Sequence, residues 1–413
     1  MRRHLLAALS LAAVLTASAC GAGGTEPSAA PSPSVDASDW GSVLAQAKGQ
    51  TVSWHMYGGD DTLNAFVNGY VADRLKTYGV TLNQVKITDT ADAINAVLGE
   101  KQAGKTTGGS VDAIWVNGEN FATGVQAGLW SCGWPSKLPN ATYVDLGAPA
   151  VANDFGVPVK DCESVWQQAD SALVYDSTKL QDADVASVSS LLAWAARHPG
   201  HFTYPAPPDF TGSMVVRTIL YDTVGGPQSL AGAFDQNAYA PAATRLWSRL
   251  NAAEKTLWRR GSTYPQSQDQ VEKLYSTGEI SAYFTYGPGA VGDQVAKKVF
   301  PATTREAVLA GGNIANTSFI GVPANAAHHA AALVLANVLL EPATQLELYR
   351  AEGTYPGIDL ARVPPDVRAQ FAAVPVSPSV LPLERLTANA QPELASGYVT
   401  RLEKDWTANV LQK

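Results

Sequence analysis

Strand-like and helix-like patterns alternate along the first part of the chain. Residues 51–57 are rich in β-branched and aromatic side chains, which favours a strand, and residues 63–78 have helical spacing. The pattern repeats as a strand over 81–87, a helix over 89–103, a strand over 111–116 and a helix that opens near Glu119. Strands separated by helices predict an α/β fold with mostly parallel sheets flanked by helices, and such sheets bind ligands at the carboxyl ends of their strands.

The pattern restarts in the second part of the chain. We predict a helix over 188–198, a strand around 201–204, a helix over 212–223, a helical region over 241–260, a strand over 280–286, and a strand over 317–323 that leads into a helix over 326–340. The segment from Pro356 is Pro-rich and then helical, and its docking does not follow from the pattern.

Chain length indicates more than one lobe, because about 370 residues from Trp40 onward exceed what one hydrophobic core usually serves. We place the chain's crossings between lobes near 171–175 and near 313–322. The predicted organisation is a first lobe of residues 40–170 plus 313–355, a second lobe of residues 171–312 and a C-terminal helical segment of residues 356–413.

The N-terminus has the order of a secretory signal. Arg2 and Arg3 precede an apolar run, and Ala17-Ser18-Ala19 stands before Cys20, so we predict a signal peptide over 1–19 and a lipid attached to Cys20. The run of about thirteen residues is shorter than a membrane-spanning helix. Residues 20–39 are mostly Gly, Ala, Ser, Pro and Thr, which predicts a flexible linker. The alternative is an ordinary cleaved signal with an incidental Cys20; both place the protein outside the cytoplasm.

Charge and cysteine content narrow the partners. The chain has 37 acidic and 29 basic residues. Removal of Arg2 and Arg3 with the signal peptide leaves 37 against 27, a net charge of −10, which disfavours nucleic acid and anionic lipid as partners.

Two cysteines, Cys132 and Cys162, remain besides Cys20, and an even pair in an oxidising compartment predicts a disulfide. Two free thiols or half of a metal site are the alternatives, and we predict no metal and no cofactor.

Several strings resemble a known family. Residues 109–121 closely resemble GSVDLIWINGENF, a signature of the YnjB-like branch of ABC-transporter solute-binding proteins. Further similar strings are residues 54–59, 138–140, 154–156, 204–213, 264–265 and 316–325, so the resemblance spans roughly residues 50 to 350.

The resemblance implies a two-lobed, hinge-bending type II periplasmic-binding-protein fold and no enzymatic activity. It also implies that a small organic solute, for example a thiamine-like one, is captured in the cleft between lobes and delivered to an ABC permease with its ATPase. We expect a monomer, held by its lipid on the outer face of the cytoplasmic membrane.

Polar residues at two strand ends are candidates for binding this solute. Asn117, Glu119 and Asn120 follow a buried strand where a helix begins, so side chains and backbone N–H groups can face a cleft. Gly58, Gly59 and Asp60 repeat the arrangement after the first strand, next to Trp54 in the similar string. The alternative is structural: asparagine and aspartate cap helices, an acid is favoured in the first turn, and glycines form tight turns.

The second lobe has candidates in a proline-rich loop, which contains Tyr204, Asp209, Phe210 and Ser213. Prolines hold such a loop near one shape, so closing on a ligand loses less entropy. The alternative is a rigid connection with Phe210 in the core. Trp166, Tyr264 and Tyr286 could stack on a flat or cationic ligand, or each could be a core residue.

Acids among aromatic residues favour one class of ligand. If Glu119, Asp60 and Asp209 share the cleft, an amine-bearing or cationic solute is favoured over a carboxylate or phosphate. The sequence has neither HExxH nor Gly-x-Ser-x-Gly. Two readings remain as alternatives: a lipid-anchored hydrolase that uses Glu119 and Asp209 as acid and base, and a binding module without a permease.

Overall fold

A computed structural model describes residues 35–382, 385–386 and 388–413. The predicted signal peptide, Cys20 and most of the predicted linker lie outside these residues. Val35–Lys413 forms one compact unit with its own hydrophobic cores.

Strands and helices are numbered here in chain order within the described residues. The strands are β1 Thr51–Tyr57, β2 Thr81–Ile87, β3 Ala113–Val116, β4 Asn153–Asp154, β5 Val157–Pro158, β6 Glu163–Asp170, β7 Ala172–Asp176, β8 Ala282–Thr285, β9 Thr304–Ala307, β10 Ala315–Gly321 and β11 Tyr355–Pro356. The α-helices are α1 Trp40–Ala47, α2 Asp61–Phe66, α3 Ala72–Lys76, α4 Thr90–Gln102, α5 Gly118–Ala127, α6 Pro149–Ala152, α7 Val188–Arg197, α8 Phe210–Val224, α9 Gln236–Ala253, α10 Gln268–Ser276, α11 Pro288–Ala296, α12 His329–Leu339, α13 Pro342–Glu352, α14 Pro365–Ala372 and α15 Ser396–Trp406. Short 3-10 or π-helical segments cover Val67–Val71, Pro135–Lys137, Pro139–Tyr143, Pro227–Leu230, Glu254–Thr256, Trp258–Gly261 and Thr407–Leu411.

Two sheets define two lobes. The first is six-stranded, in the order β11-β6-β10-β3-β1-β2, and the second is three-stranded, in the order β8-β7-β9. The predicted two-lobed α/β fold is confirmed. The expectation of mostly parallel sheets is wrong, because only β1 with β2 and β1 with β3 pair in parallel, whereas every pair in the second sheet is antiparallel.

The course of the chain explains this difference. The chain leaves the first sheet at the end of β6 and returns to it at the start of β10, so Ala315 lies opposite Asp170 and the two strands run in opposite directions. A parallel pair would need a crossover connection within the same sheet.

The two crossing segments lie side by side. The chain passes between the sheets at Ser171 and again between β9 and β10. The Ser171 amide donates to the Ile314 carbonyl at 2.8 Å, and the buried Asn313 side chain donates to the Ser171 carbonyl at 2.6 Å. The first crossing falls within the predicted 171–175, whereas the second, over 308–314, overlaps the predicted 313–322 only at its end. The lobe boundaries assigned from the sequence stay a prediction.

Residues 201–204 do not form the predicted strand. Only an isolated bridge joins Phe202 to Ala282, and the backbone then enters the prolines Pro205, Pro207 and Pro208, which have no N–H to donate to a ladder.

Each lobe has its own core. In the first lobe, α12 is buried along nearly its whole length behind the six-stranded sheet. In the second lobe, Tyr398, Leu402 and Trp406 of α15 pack with α8 and α9, so the C-terminal segment completes this core. Within the described residues no single helix is long and apolar enough to cross a membrane, although α12 and α13 together form a bent pair with suitable length and composition.

The predicted disulfide is confirmed. The Sγ atoms of Cys132 and Cys162 are bonded, which ties the segment after α5 to the residues just before β6.

Candidate ligand-binding cleft

Two of the predicted acids cap helices, one in each lobe. The Asp60 carboxylate accepts the Leu63 N–H at 2.9 Å at the start of α2. The Asp209 carboxylate accepts the Gly212 N–H at 2.8 Å at the start of α8. Asp60 therefore caps a helix, which is the structural alternative given for it in the sequence analysis, and Asp209 also caps a helix.

Carboxylates from both lobes surround Tyr57, which ends β1 and is 42% exposed. Burial of part of its ring, together with negative charges on Asp269, Asp60, Asp209 and Glu272, raises the pKa of the Tyr57 hydroxyl. Asp60 belongs to the first lobe, whereas Asp209 caps α8 and Asp269 and Glu272 lie on α10 in the second. We call the set of carboxylates Asp60, Asp209, Asp269, Glu272 and Glu352 the acidic surface.

Two carboxylates of the acidic surface, Glu352 and Glu272, hold a proton more tightly than usual. Burial raises the pKa of Glu352 to about 8, and the neighbouring Asp60 carboxylate contributes in the same direction. Burial also raises the pKa of Glu272, although a hydrogen bond from Gln268 at 3.0 Å opposes the shift. Among the described residues no lysine or arginine forms a salt bridge with the acidic surface.

A second group of polar side chains is centred on Arg217, which is 1% exposed in α8. Its guanidinium donates to the Ser213 hydroxyl at 2.7 Å and to the Tyr286 hydroxyl at 3.2 Å. Its Nε atom lies 3.1 Å from a carboxylate oxygen of Glu393. Ser213 in turn donates to Glu403 at 2.6 Å.

The same group reaches into the first lobe. Tyr286 donates a hydrogen bond to Glu393, and the Asn316 side chain donates to Glu393 at 3.4 Å. The Asn117 side chain donates to the Asn316 side-chain oxygen at 3.1 Å. We call the set Arg217, Ser213, Tyr286, Glu393, Asn316, Asn117 and Glu403 the Arg217 network.

Asn117 does not cap α5. Its side chain makes no hydrogen bond to the first turn of that helix and is directed to Asn316 instead. The buried Asp154 carboxylate accepts the Gly118 N–H at 2.8 Å, and burial raises the pKa of Asp154 well above its ordinary value, with the Glu119 charge adding to the shift. Gly118 has a φ of 64°, which glycine adopts without the strain that a Cβ atom would bring.

Aromatic rings pack beside the Arg217 network. Phe210 is 39% exposed, and its ring centroid lies 5.1 Å from that of Tyr286 and 6.4 Å from that of Phe155. The Arg217 guanidinium lies over the Phe155 ring at 5.6 Å. The alternative that placed Phe210 in the core does not hold.

Four of the predicted aromatic residues lie in the cores. Trp54 and Trp166 are fully buried and meet edge to face at 5.3 Å inside the first lobe. Tyr204 and Tyr264 pack against each other and against Trp406 in the second lobe, where the Trp406 indole N–H donates to the Tyr204 hydroxyl at 3.2 Å. Their side chains lie in the two cores and take no part in the proposed binding.

The remaining predicted residues shape the turn and the helix start. The Gly58 carbonyl accepts from the Asn64 side chain at 2.8 Å, and a Cβ atom at Gly59 would overlap the Tyr57 hydroxyl. Glu119 and Asn120 are half-buried in the first turn of α5.

Sequence reasoning missed several side chains of the cleft. Arg217 carried a signal, because it is the one charged residue in the run from Met214 to Leu220. No sequence signal identified Glu393, because 176 residues separate it from Arg217. The others that were not selected are Asp154, Asp269, Glu272, Asn316, Glu352 and Glu403.

Comparison with known proteins agrees with this architecture. Protein YnjB of Escherichia coli K12 is 35% identical over 375 residues, which cover 90% of this chain and 93% of YnjB. The spermidine/putrescine ABC-transporter substrate-binding protein PotD of Streptococcus pneumoniae superposes with a TM-score of 0.59 at 11% identity, covering 87% of this chain and 99% of that one. The periplasmic binding protein AfuA of Actinobacillus pleuropneumoniae, with fructose-6-phosphate bound, gives 0.58 at 11% identity, covering 87% and 98%.

A two-lobed fold with polar groups from both lobes meeting in a cleft is that of the solute-binding component of an ABC transporter. Residues 65–373 match the family described as bacterial extracellular solute-binding proteins, and the chain belongs to that family. Its members bind solutes outside the cytoplasm, in the periplasm or at the cell surface, and are carriers, not enzymes.

Proposed function

We propose that this chain is a lipid-anchored receptor that captures a small organic cation between its lobes and delivers it to an ABC permease. The observation that carries the proposal is the acidic surface, in which Asp60 from the first lobe and Asp209, Asp269 and Glu272 from the second act on the same Tyr57 hydroxyl. Bringing carboxylates together without a cation is unfavourable, and a bound cation would relieve the repulsion.

The residues of this chain favour a positively charged solute. The two structural neighbours carry names with ligands of opposite charge, polyamines for one and a sugar phosphate for the other. The buried Arg217 is already paired with Glu393, so its positive charge is satisfied inside the protein. Tyr57 and Phe210 expose ring surface beside the carboxylates, and a cation over such a ring gains about 0.5 to 2 kcal/mol.

Capture would use both lobes without chemistry on the solute. The open form binds the solute with groups of one lobe, and contacts from the other lobe then stabilise the closed form. The equilibrium shifts by the difference in the solute's affinity for the two forms. An amine-bearing or thiamine-like solute with one or more positive charges fits the carboxylates of both lobes.

A thermal-shift panel tests the proposal. The chain over residues 35–413 is unfolded, refolded to remove any bound solute, and mixed with polyamines, thiamine, quaternary amines, amino acids, sugars and sugar phosphates. A solute at about a hundred times its dissociation constant stabilises the fold by about 2.7 kcal/mol. We expect a large shift from one class of cation, which is recovered unchanged; shifts only from anions would refute the proposed solute class.

A pair of matched variants identifies the surface that binds. Asp269 is exposed in the first turn of α10, and Asp366 is exposed in the first turn of α14. Asp269→Asn is expected to weaken cation binding about three- to tenfold, as loss of one partly screened charge would. Asp366→Asn removes the same charge and is expected to leave the affinity unchanged; equal effects would place the solute elsewhere.

The lipid anchor has a separate test. In cells that export the protein, Cys20→Ser is expected to abolish incorporation of labelled fatty acid and to release the chain from the membrane fraction. If the variant still incorporates fatty acid and stays in the membrane fraction, lipidation at Cys20 is refuted. Either outcome leaves the proposed solute class untouched.

A further inference from the structure

The residues before α15 run across both lobes. Within 388–395, which we call the C-terminal strap, the Gln391 amide donates to the Asn313 carbonyl at 2.8 Å and its carbonyl accepts the Ala315 N–H at 2.9 Å. At the end of the strap the Ser396 amide donates to the Phe155 carbonyl at 3.0 Å. The strap therefore lies along the segment by which the chain returns from the second lobe to the first.

One side chain of the strap contacts both lobes. On the second lobe, Glu393 lies 3.1 Å from Arg217 Nε and accepts a hydrogen bond from Tyr286. On the first lobe it accepts from Asn316, which accepts from Asn117. Separating the lobes would stretch or break this chain of hydrogen bonds at Glu393.

Burial makes these contacts sensitive to geometry. The Glu393 side chain is 6% exposed and that of Arg217 is 1% exposed. A charge pair in such surroundings is stable only while both charges and their hydrogen bonds are in place, because either charge left alone stays desolvated. The contacts thus favour the arrangement in which the lobes are close.

We propose that Glu393 is a positioning residue through which the C-terminal strap holds Tyr286 of the second lobe and Asn117 of the first lobe at a fixed spacing. The strap thereby sets the balance between the open and closed forms of the cleft. The inference rests on hydrogen bonds within the chain and does not depend on the charge of the solute.

Distances between spin labels on the two lobes test this role. Lys76 in α3 and Lys255 in the second lobe are exposed, and each is replaced by a labelled cysteine in residues 35–413, whose native cysteines are disulfide-bonded. In the solute-free protein, Glu393→Ala is expected to raise the ratio of long to short distances about tenfold or more. Glu393→Gln, which retains an acceptor for Tyr286 and Asn316, is expected to give a smaller rise.

The control uses another acid of the C-terminal segment. Asp405 accepts from Tyr239 at 3.1 Å and from Arg401 at 2.8 Å, and these partners all belong to the second lobe. Asp405→Ala is expected to lower Tm but to leave the distances unchanged, because it breaks contacts of a similar kind within one lobe. A change in distances equal to that of Glu393→Ala would overturn the proposal.

A second variant keeps the test decisive if Glu393→Ala does not fold. Asn316→Ala removes the link from Glu393 to Asn117 and leaves the Arg217–Glu393 pair in place. We expect the same shift to long distances as in Glu393→Ala, reduced in size. Distances identical to those of the unmodified protein would show that the lobes are not held through Glu393.

Discussion

The acidic surface and the Arg217 network lie in the same cleft and contain similar residues, yet they differ in how their charges are satisfied. In the Arg217 network the carboxylate of Glu393 is buried against a guanidinium, a tyrosine hydroxyl and an amide. In the acidic surface, burial and neighbouring carboxylates raise the pKa of Glu272 and Glu352, and in the described part of the chain none of the five carboxylates has a salt bridge.

The difference separates a structural role from a binding role. A network whose charges are paired inside the protein has little to gain from the charge of a ligand, so it stabilises one arrangement of the protein. A surface with unpaired like charges gains most from a partner of opposite charge. Four predictions test this division, from the largest effect to the smallest.

Arg217→Met is expected to lower the free energy of unfolding by about 3 to 5 kcal/mol, because Glu393 would remain buried without its cation. Urea denaturation measures the loss. In the double variant Arg217→Met with Glu393→Leu neither charge is buried alone, so most of the stability is expected to return. A loss below about 1 kcal/mol in the single variant would show that the pair contributes little.

Glu403 gives the network a pH dependence of stability. Burial raises the pKa of Glu403 to about 7 in the folded chain, against 4.5 ordinarily, so the folded state binds its proton more tightly. The contribution is complete below about pH 4.5 and is lost as the pH rises through about 7, on the order of 2 to 3 kcal/mol. Urea denaturation between pH 4.5 and 8 should show a smaller decline for Glu403→Gln; equal declines would contradict this.

Glu352 gives the acidic surface a pH dependence of binding. Its pKa of about 8, raised by burial and by Asp60, keeps it largely protonated at pH 7, and a bound cation favours the ionised form. The affinity for a quaternary amine, whose own charge is constant, is expected to rise by up to about tenfold between pH 7 and 9. Calorimetry measures it, and Glu352→Gln should remove the rise. A rise that persists in the variant would assign it to another group.

Salt is expected to weaken cation binding at the acidic surface and to leave the stability of the Arg217 network unchanged. This is the smallest of the four expected effects. Asp269 is exposed and Tyr57 is partly exposed, so raising the salt from about 0.01 to 0.15 M is expected to weaken cation binding a few-fold. The side chains of Arg217 and Glu393 are buried, so the stability lost in Arg217→Met should be unchanged by the same salt. An equal salt response of both quantities would contradict the division.

Local pattern predicted the elements but only part of the site. The bounds of β1 and β2 match the prediction. Asn117, Ser213 and Tyr286 belong to one hydrogen-bond network, and Phe210 packs against Tyr286, while their role in binding stays a prediction. The alternation in β1 also indicates that Trp54 is a core residue, because Trp54 shares its face with the buried Val52 and Met56. Tyr57 lies on the other face of the strand.

Other features depend on contacts that local pattern does not contain. Tyr264 is buried because α15, more than a hundred residues later, places Trp406 against it. Glu393 reaches Arg217 through the return of the C-terminal strap to the crossing segment. The antiparallel second sheet follows from the order in which the chain crosses between lobes, and strand periodicity does not report that order.

Native mass spectrometry of the protein taken from exporting cells without denaturation tests the central claim most directly, because it identifies the solute that the cleft retains. The account predicts one small molecule per chain with an amine or quaternary nitrogen, which Asp269→Asn retains less well than Asp366→Asn. A carboxylate or phosphate bound in both variants alike would contradict it.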